Sequence, residues 1–343
     1  MTGSPFVAAT CIDIRRENWN VKTFRFRVAN PDNGFDFEAG QYVTLGLEIG
    51  GETVYRCYTV SCAPENQGPG EFEITVKHSP GGLVSTWLHE TLKAKAKVQV
   101  SRATGDFVLP DDRGEPLLFI AGGVGITPLM SMARHLHAQG KSADIQFLQF
   151  ARTPGDILFR DELREMDASS NGIVPHLFAS HSSDSDCQAG RLCTDLLDKI
   201  VPGWKSRTVL CCGPDSFMAD MREAFVSSGG DPTRFHQESF NVPDSPPAHV
   251  VTNTGVSTVR LSESGFDVSC EPGKTVLEAV HASPHGVKIP NACRSGVCGT
   301  CKLRMLDGNV DMQHNGGITD EEVDEGYILT CCSVPLSNIT IEY

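Results

Sequence analysis

Four cysteines near the C-terminus have a spacing that can hold an iron–sulfur cluster. Three follow the pattern C-x4-C-x2-C, and the fourth comes thirty positions later: Cys293, Cys298, Cys301 and Cys331. A [2Fe–2S] cluster takes two cysteine sulfurs on each iron, and this is the plant-type spacing. Gly296 and Gly299 allow the loop to wrap tightly and to turn backbone N–H groups towards the sulfurs. A structural zinc site is the alternative, although it usually has two C-x-x-C knuckles and this group has one.

Two segments in the first third of the chain could hold a phosphorylated planar ring. Arg56-Cys57-Tyr58-Thr59 lies on a predicted strand, where an arginine, an aromatic ring and a hydroxyl could grip a phosphate, cover a ring and bond its edge. An ordinary half-buried strand is the alternative. Gly81-Gly82-Leu83-Val84-Ser85-Thr86 opens a predicted helix with free N–H groups, which suits a pyrophosphate, although many helices begin this way without a ligand.

A glycine-rich turn marks a candidate dinucleotide site. Residues 122–128 have the sequence GGVGITP, follow an apolar strand and open a helix, with Thr127 as the expected cap and Pro128 at the first helical position. The G-x-G-x-x-G fingerprint would need a third glycine where Pro128 stands, but the strand–turn–helix context still favours a dinucleotide.

Two further positions follow apolar strands of the same region. Arg152 stands where an acidic residue would hold a ribose, and an arginine there can accommodate a 2′-phosphate or simply lie on the surface. Cys212-Gly213-Pro214 ends another strand, at the edge where ligands of α/β sheets collect, although a buried structural cysteine is the common alternative.

Composition limits the classes of function. The 343 residues are 40% hydrophobic and 21% charged, with a net charge of −14 that argues against nucleic acid and anionic membranes as partners. No apolar run approaches the roughly 18 residues of a membrane span, and residues 1–10 lack an export signal. Nine of the thirteen cysteines are scattered outside the cluster pattern, which favours a reducing cytoplasm.

Negative charge is concentrated in residues 257–343. Residues 257–343 carry twelve Asp and Glu against six Lys and Arg, and residues 320–325 are the densest part. A solvated face is the ordinary interpretation of such a run, and a docking surface for a basic protein is the sharper one.

The predicted elements divide the chain into three domains. Short alternating strands with one helix predict an antiparallel β-barrel over residues 1–112. Strands alternating with helices predict a parallel α/β domain over residues 113–240. A proline-rich linker over residues 241–256 leads to a hairpin, a helix, the cysteine loop and further strands over residues 257–343, an α+β domain.

In this order the motifs resemble the ferredoxin–NADP reductase family. The matching segments are Arg-x-Tyr-Thr, Gly-Gly-x-x-Ser, Gly-Gly-x-Gly-Ile-Thr-Pro and Cys-Gly-Pro-x-x-x-Met. With the C-terminal cysteine pattern, the chain resembles reductase components of Rieske-type oxygenases and demethylases, including glycine betaine demethylase reductases, and hybrid-cluster-protein reductases. The resemblance covers almost the whole chain and implies a flavin barrel, an NAD(P) domain and a β-grasp ferredoxin.

The resemblance implies a role for each matching residue. Arg56 would bind the flavin phosphate, Tyr58 would pack on the isoalloxazine and Thr59 would face its N5 edge. Cys212 would lie near the nicotinamide, which makes Tyr58, Thr59 and Cys212 the expected catalytic residues. The remaining assignments are Val76, Gly82, Ser85 and Phe240 for the flavin, and Gly123, Gly125, Thr127, Arg152, Gly213 and Pro214 for the nicotinamide dinucleotide. FAD is preferred to FMN, which has no pyrophosphate to hold, and either NADH or NADPH would be the electron donor.

The implied activity is an electron relay. NAD(P)H would reduce the flavin by two electrons, and the flavin would pass them singly through the cluster to an acceptor protein, expected to be a Rieske-type oxygenase. A hybrid-cluster protein is the alternative acceptor. A non-catalytic iron–sulfur sensor is the rival class, although a sensor needs no nucleotide domain.

Overall fold

The computed structural model describes residues 6–30, 35–110, 114–140, 144–169, 172–240, 255–291, 293–294, 296, 298–314 and 317–343. Residues 31–34, and residues 241–254 of the predicted linker, lie outside this set. The chain divides into two compact units. The larger contains Phe6–Val43 and Tyr58–Asn241, and the smaller contains Thr44–Cys57 and the C-terminal segment. Within the described residues, no helix is both long and apolar enough to cross a membrane.

The N-terminal domain is an antiparallel sheet of six strands with one helix, in the strand order β4-β3-β6-β1-β2-β5. Its elements are β1 (Phe6–Arg16), β2 (Val21–Val28), β3 (Tyr42–Ile49), β4 (Glu52–Thr59), β5 (Glu71–Lys77), α1 (Leu83–Glu90) and β6 (Lys97–Ser101). An isolated bridge between Val60 and Ile74 links the residue after β4 to β5, so that the sheet curls towards closure. The sequence pattern marks strand β1 poorly, because its alternation is weak and residues on both of its faces are exposed.

The central domain is a parallel sheet in the order β10-β9-β8-β7-β11-β12, as the alternation of strands and helices predicts. Its elements are β7 (Leu117–Gly122), α2 (Ile126–Ala138), β8 (Ile145–Ala151), α3 (Arg160–Ala168), β9 (Ile173–Ala179), β10 (Gln188–Ala189), α4 (Thr194–Ile200), β11 (Thr208–Cys212), α5 (Asp215–Ser227) and β12 (Phe235–Glu238). The continuous apolar strands β7 and β11 are buried throughout, as strands of a doubly covered sheet must be.

A buried arginine joins the first two domains within the larger unit. Arg134 of α2 donates to the backbone carbonyl of Ser61 and forms a two-point ion pair with Glu162 of α3, at 2.7 and 2.6 Å. Its guanidinium also lies 4.5 Å from the ring centroid of Phe159. Because the charge is paired and fully hydrogen-bonded, its burial is tolerated and the two domains are held together at this point.

The C-terminal domain has the β-grasp arrangement. Its elements are β13 (Ser257–Leu261), β14 (Asp267–Cys270), α6 (Val276–Ala282), β15 (Lys302–Asp307), β16 (Val310–Met312), α7 (Asp320–Asp324), β17 (Tyr327–Leu329), β18 (Ser333–Pro335) and β19 (Ile339–Ile341). The main sheet has the order β14-β13-β19-β15-β17. Its parallel pair is β13 and β19, the first and last strands of the domain along the chain. Helix α6 contributes buried apolar residues to the same core as these strands.

Candidate functional site

Two glycine turns approach each other at the carboxyl ends of β7 and β11, which are neighbours in the parallel sheet. A Cβ at Gly125 would lie 2.3 Å from the carbonyl oxygen of Cys212, and one at Gly213 would lie 3.0 Å from the Cα of Gly122. Only glycine permits this backbone approach. The turn that the sequence assigns to a dinucleotide and the turn that carries Cys212 are therefore one continuous surface.

Helix α2 begins earlier than the sequence predicts. The sequence places Thr127 as the cap, whereas the structure has a three-residue 3-10 turn (Gly123–Gly125) running into the helix at Ile126. Thr127 is therefore the second helical residue, is buried, and donates to the carbonyl of Val124 at 3.2 Å. The expectation that Thr127 caps the helix is wrong, because the 3-10 turn supplies the first turn of backbone.

Glu238, which the sequence does not mark as a site residue, lies beside two predicted catalytic residues, Thr59 and Cys212. In the parallel pairing of β11 and β12, Glu238 is the register partner of Cys212. The hydroxyl of Thr59 donates to Oε2 of Glu238 at 3.2 Å. The structure thus brings Thr59, Cys212 and Glu238 together. No local motif marks Glu238, because its position depends on pairing between strands and on a contact 179 residues away.

Burial keeps both titratable groups of this trio protonated. It raises the pKa of Glu238 to about 8, against a smaller lowering by the Thr59 hydrogen bond. It also raises the pKa of Cys212 well above its usual range, and the neighbouring Glu238 carboxylate adds to the effect. Cys212 is therefore a neutral thiol suited to packing and positioning, and Glu238 is a carboxylic acid able to hold a proton near neutral pH.

The residues assigned to the flavin occupy two surfaces. On β4, Arg56 is exposed and donates to the carbonyl of Tyr55 at 2.8 Å, and Tyr58 is half-buried. Val76 is buried, and its carbonyl lies 2.9 Å from Nε2 of His89.

The second flavin surface is the start of α1. Gly82 precedes the helix, and the hydroxyl of Ser85 accepts from the backbone N–H of Ser79 at 3.1 Å. This bond folds residues 79–85 into a compact turn that ends at the helix N-terminus, an arrangement that suits a phosphate group.

The remaining nucleotide residues lie at the edge of the same sheet. Arg152 is exposed immediately after β8, and its carbonyl accepts from the N–H of His181 at 3.0 Å. Pro214 precedes α5, and its Cδ would lie 2.9 Å from a Cβ at Gly122.

Phe240 is 40% exposed and follows Ser239, whose hydroxyl donates to Asp215 at 2.7 Å. That bond fixes the chain just before Phe240 against the first turn of α5. An aromatic ring in this position is available to cover a planar group.

The four cysteines of the predicted cluster motif form two pairs. The N–H of Cys298 donates to the sulfur of Cys293 at 3.3 Å, and the N–H of Cys293 donates back to the sulfur of Cys298 at 3.4 Å. Cys301 and Cys331 are joined by a side-chain hydrogen bond. Among the described residues, no three histidine, cysteine or acidic side chains converge on one point. Two pairs of thiols match the donor set of a two-iron cluster.

The close approach of the thiols within each pair is suited to binding a positively charged metal. The hydrogen bond to Cys293 and burial raise the pKa of Cys298, and the bond to Cys331 and burial raise that of Cys301. Ionising both members of a pair is opposed unless positive charge lies between them, and iron would supply that charge. The loop is closed by the N–H of Gly317, which donates to the carbonyl of Gly296 at 3.0 Å.

Within the smaller unit, β4 lies close to this loop. The charge of Cys57, the residue between Arg56 and Tyr58, contributes to the raised pKa of Cys298. The sulfur of Cys57 lies 3.4 Å from the hydroxyl of Thr44 on β3. Cys57 and Cys298 therefore lie near enough within the smaller unit for their charges to interact.

Three family models match successive parts of the chain. They are the oxidoreductase FAD-binding domain over residues 8–109, the oxidoreductase NAD-binding domain over residues 119–223, and the 2Fe-2S iron-sulfur cluster binding domain over residues 259–336. FAD-binding, NAD-binding and [2Fe–2S] domains are thus present in the order that the motifs predict.

Known proteins are similar over nearly their whole length. The chain is 39% identical over 354 residues to the glycine betaine monooxygenase reductase subunit of Chromohalobacter salexigens, covering 97% of this chain and 94% of the relative. It is 35% identical over 345 residues to the stachydrine N-demethylase reductase subunit of Rhizobium meliloti, covering 97% and 95%. A solved phthalate dioxygenase reductase, described as a modular structure for electron transfer from pyridine nucleotides to [2Fe–2S], matches with a TM-score of 0.60 and 25% identity, covering 99% and 100%.

Proposed function

This chain belongs to the family of NAD(P)H-dependent reductase components of oxygenase systems, and from that premise we propose that its acceptor is the oxygenase of an N-demethylation system for methylated ammonium compounds. As a member of the family, the protein carries electrons from NAD(P)H through FAD and a [2Fe–2S] cluster to a partner oxygenase. The observation that supports the substrate class is full-length similarity to the reductases of two systems whose names specify glycine betaine and stachydrine.

We assign the flavin to the N-terminal domain, with Arg56 on its phosphate, Tyr58 on its ring and Val76 in the wall of the site. Gly82 and Ser85 hold the pyrophosphate at the start of α1, and Phe240 covers the opposite face of the ring. Support comes from the FAD-binding match over residues 8–109 and from the compact 79–85 turn. The bound flavin supplies the exchange between a two-electron donor and a one-electron acceptor.

We assign the nicotinamide dinucleotide to the joined glycine turns of the central domain. Gly123, Gly125 and Thr127 line one side, Cys212, Gly213 and Pro214 line the other, and Arg152 faces the adenosine ribose. The close approach of Gly125 to Cys212 supports this surface, because it leaves the strand ends open to a ligand.

Thr59 and Glu238 form a proton relay in this proposal. A flavin that accepts a hydride gains one negative charge, and a proton donated by the protein would neutralise it. The Glu238 carboxylic acid holds a proton up to about pH 8. With the hydrogen bond to Thr59, 3.2 Å away, reversed, the Thr59 hydroxyl would accept that proton and donate its own to the flavin edge. Cys212 orients the nicotinamide by packing, as its high pKa excludes a thiolate role near neutral pH.

Cys293, Cys298, Cys301 and Cys331 bind the cluster in this proposal, and the acidic C-terminal domain faces the acceptor. Residues 320–325 lie on and just after α7, where Asp324 and Glu325 are exposed. The partner would then present a basic surface. We also propose the cytoplasm as the compartment, since the nine cysteines outside the cluster motif form no disulfide in the structure and a reducing environment keeps them free.

Reconstitution tests the substrate class. The holoenzyme is combined with a candidate Rieske-type oxygenase, and formaldehyde release from glycine betaine and from stachydrine is measured against NAD(P)H consumption. Coupled release with either compound, abolished in Cys298→Ser, supports the proposal. Efficient reduction of a hybrid-cluster protein, with no coupled demethylation by any tested oxygenase, would overturn it.

A further inference from the structure

The turn between β1 and β2 contacts two separate segments, the loop after β8 and the segment that precedes α1. Residues 17–20 connect the strands, and the turn is closed by the N–H of Glu17, which donates to the carbonyl of Val21 at 3.0 Å. The N–H of Asn20 donates to the side-chain oxygen of Asn18 at 3.0 Å. These bonds fix the backbone, so that side chains projecting from the turn have defined positions.

In one direction the turn contacts the loop that follows β8. The indole Nε1 of Trp19 donates to Oδ1 of Asp156 at 2.9 Å, and Nδ2 of Asn18 lies 3.4 Å from the carbonyl oxygen of Gly155. Trp19 is nevertheless 72% exposed, the most exposed of the large hydrophobic side chains in the described residues. An indole left so open to water makes little use of apolar burial, so its hydrogen bond is the contact that matters.

Asp156 organises that loop. Its carboxylate accepts from the N–H and the hydroxyl of Thr153, at 3.2 and 2.8 Å, which closes a capping box over residues 153–156. Burial acts to raise the pKa of Asp156, but the bonds from Trp19 and Thr153 lower it overall, so the acceptor is a carboxylate at neutral pH. A charged acceptor makes the Trp19 bond stronger than one between neutral groups.

In the other direction the turn contacts the flavin-phosphate segment. The carbonyl of Asn20 accepts from the N–H of His78 at 2.7 Å. The next residue, Ser79, donates its N–H to the hydroxyl of Ser85 at the start of α1. One four-residue turn therefore connects the segment assigned to the FAD pyrophosphate with the loop that begins at Arg152.

We propose that Trp19 is a positioning residue for the nicotinamide dinucleotide: through Asp156 it fixes the loop that carries Arg152 in the conformation that receives the adenosine ribose. The inference rests on the proposed assignment of Arg152 to that ribose. In this role Trp19 acts through its hydrogen bond to Asp156 and need not contact the nucleotide or the flavin. It sets the loop relative to the flavin-phosphate segment, so that both halves of the dinucleotide can bind at once.

Trp19→Phe in the FAD- and cluster-loaded protein tests the proposal, because it removes the N–H donor and retains an aromatic ring. Binding of two fragments, ADP-ribose and its 2′-phosphate, is measured by calorimetry beside flavin reduction by NADH and NADPH. We expect about a three- to tenfold rise in fragment Kd and in nucleotide KM, as loss of one charge-assisted hydrogen bond implies. The rate constant at saturation should change less than about twofold, because the reacting atoms are untouched.

Two variants provide references. Val226→Ala shortens another exposed apolar side chain, in the last turns of α5, and should leave Kd and KM unchanged. Arg152→Ala should raise the Kd of at least one fragment. If Arg152→Ala changes neither Kd, the assignment of the loop to the ribose fails, and the inference fails with it. If Arg152→Ala weakens binding and Trp19→Phe does not, the assignment stands and the inference alone is overturned.

Discussion

The hydroxyl of Thr59, at the end of β4, lies 3.2 Å from a carboxylate oxygen of Glu238, at the end of β12. Thr59 lies in the segment that the FAD-binding family model matches, Glu238 ends the last strand of the parallel sheet, and Cys212 is the neighbour of Glu238 across the parallel pairing. This contact places a protonated carboxyl group where the two substrates of hydride transfer are proposed to meet. The proposed chemistry depends on it more than on any single sequence motif.

Replacing Glu238 with Gln should change the pH dependence of flavin reduction. In the wild type the rate should fall as pH rises through about 8, because the carboxyl group then loses the proton it donates. Glu238→Gln should reduce flavin more slowly and without that inflection. Stopped-flow reduction across the pH range measures both effects, and an identical inflection in the variant would contradict a role for this carboxyl group.

The same substitution should change the pH dependence of stability. Because burial raises the pKa of Glu238 from 4.5 to about 8, the folded protein binds a proton that the unfolded chain has released between those values. The free energy of unfolding should therefore fall as pH rises through this window, by at most about 1.4 kcal/mol per pH unit from this group. Urea unfolding should show a shallower fall for Glu238→Gln; a slope equal to that of the wild type would disagree.

Cys298→Ser should separate the two halves of the relay. NAD(P)H should reduce the flavin at a rate within about twofold of the wild type, since the hydride site is intact. Transfer to the oxygenase should fall to background, because the cluster loses a ligand. The control is Cys332→Ser, which alters the buried thiol next to Cys331 and can keep its bond to the carbonyl of Leu329. Full transfer in Cys298→Ser would reject the cluster as an obligatory carrier.

Two glycines of one turn should differ in their tolerance of alanine. A Cβ at Gly125 would overlap the backbone of Cys212, at 2.3 Å, whereas one at Gly123 meets nothing within 4 Å and adds only the strain of its φ of +57°. We expect Gly125→Ala to lower the free energy of unfolding by about 3 kcal/mol and Gly123→Ala by about 1 kcal/mol. Urea titrations compare the two; equal losses would show that the turns do not touch.

If the acidic C-terminal domain binds a basic surface of the partner, added salt should slow electron transfer to that partner. Raising ionic strength screens the attraction and lowers the association rate. The double variant Asp324→Asn/Glu325→Gln should show a lower rate and a weaker salt dependence. Neutralising two exposed acids elsewhere in the same domain, Glu263→Gln/Glu342→Gln, serves as the charge-matched control. A rate insensitive to salt would discard the electrostatic part of the docking proposal.

Local pattern was sufficient for part of this molecule. The parallel sheet of the central domain is as the sequence predicts, because unbroken apolar strands such as β11, alternating with helices, are specified by neighbouring residues. The cysteine spacing likewise predicts a [2Fe–2S] domain, which the matching family model confirms. Glu238 and Trp19 could not be found in this way. Their partners are Thr59 and Asp156, and only the packed structure brings such distant positions together.

Anaerobic stopped-flow reduction of the purified holoenzyme tests the central claim most directly. With NADH or NADPH in excess, the visible spectrum should show the flavin bleaching first and the cluster afterwards, with one FAD and two irons for each chain. Reduction of the cluster before the flavin would contradict this order of electron transfer. So would a purified protein that contains neither flavin nor iron and oxidises neither nucleotide.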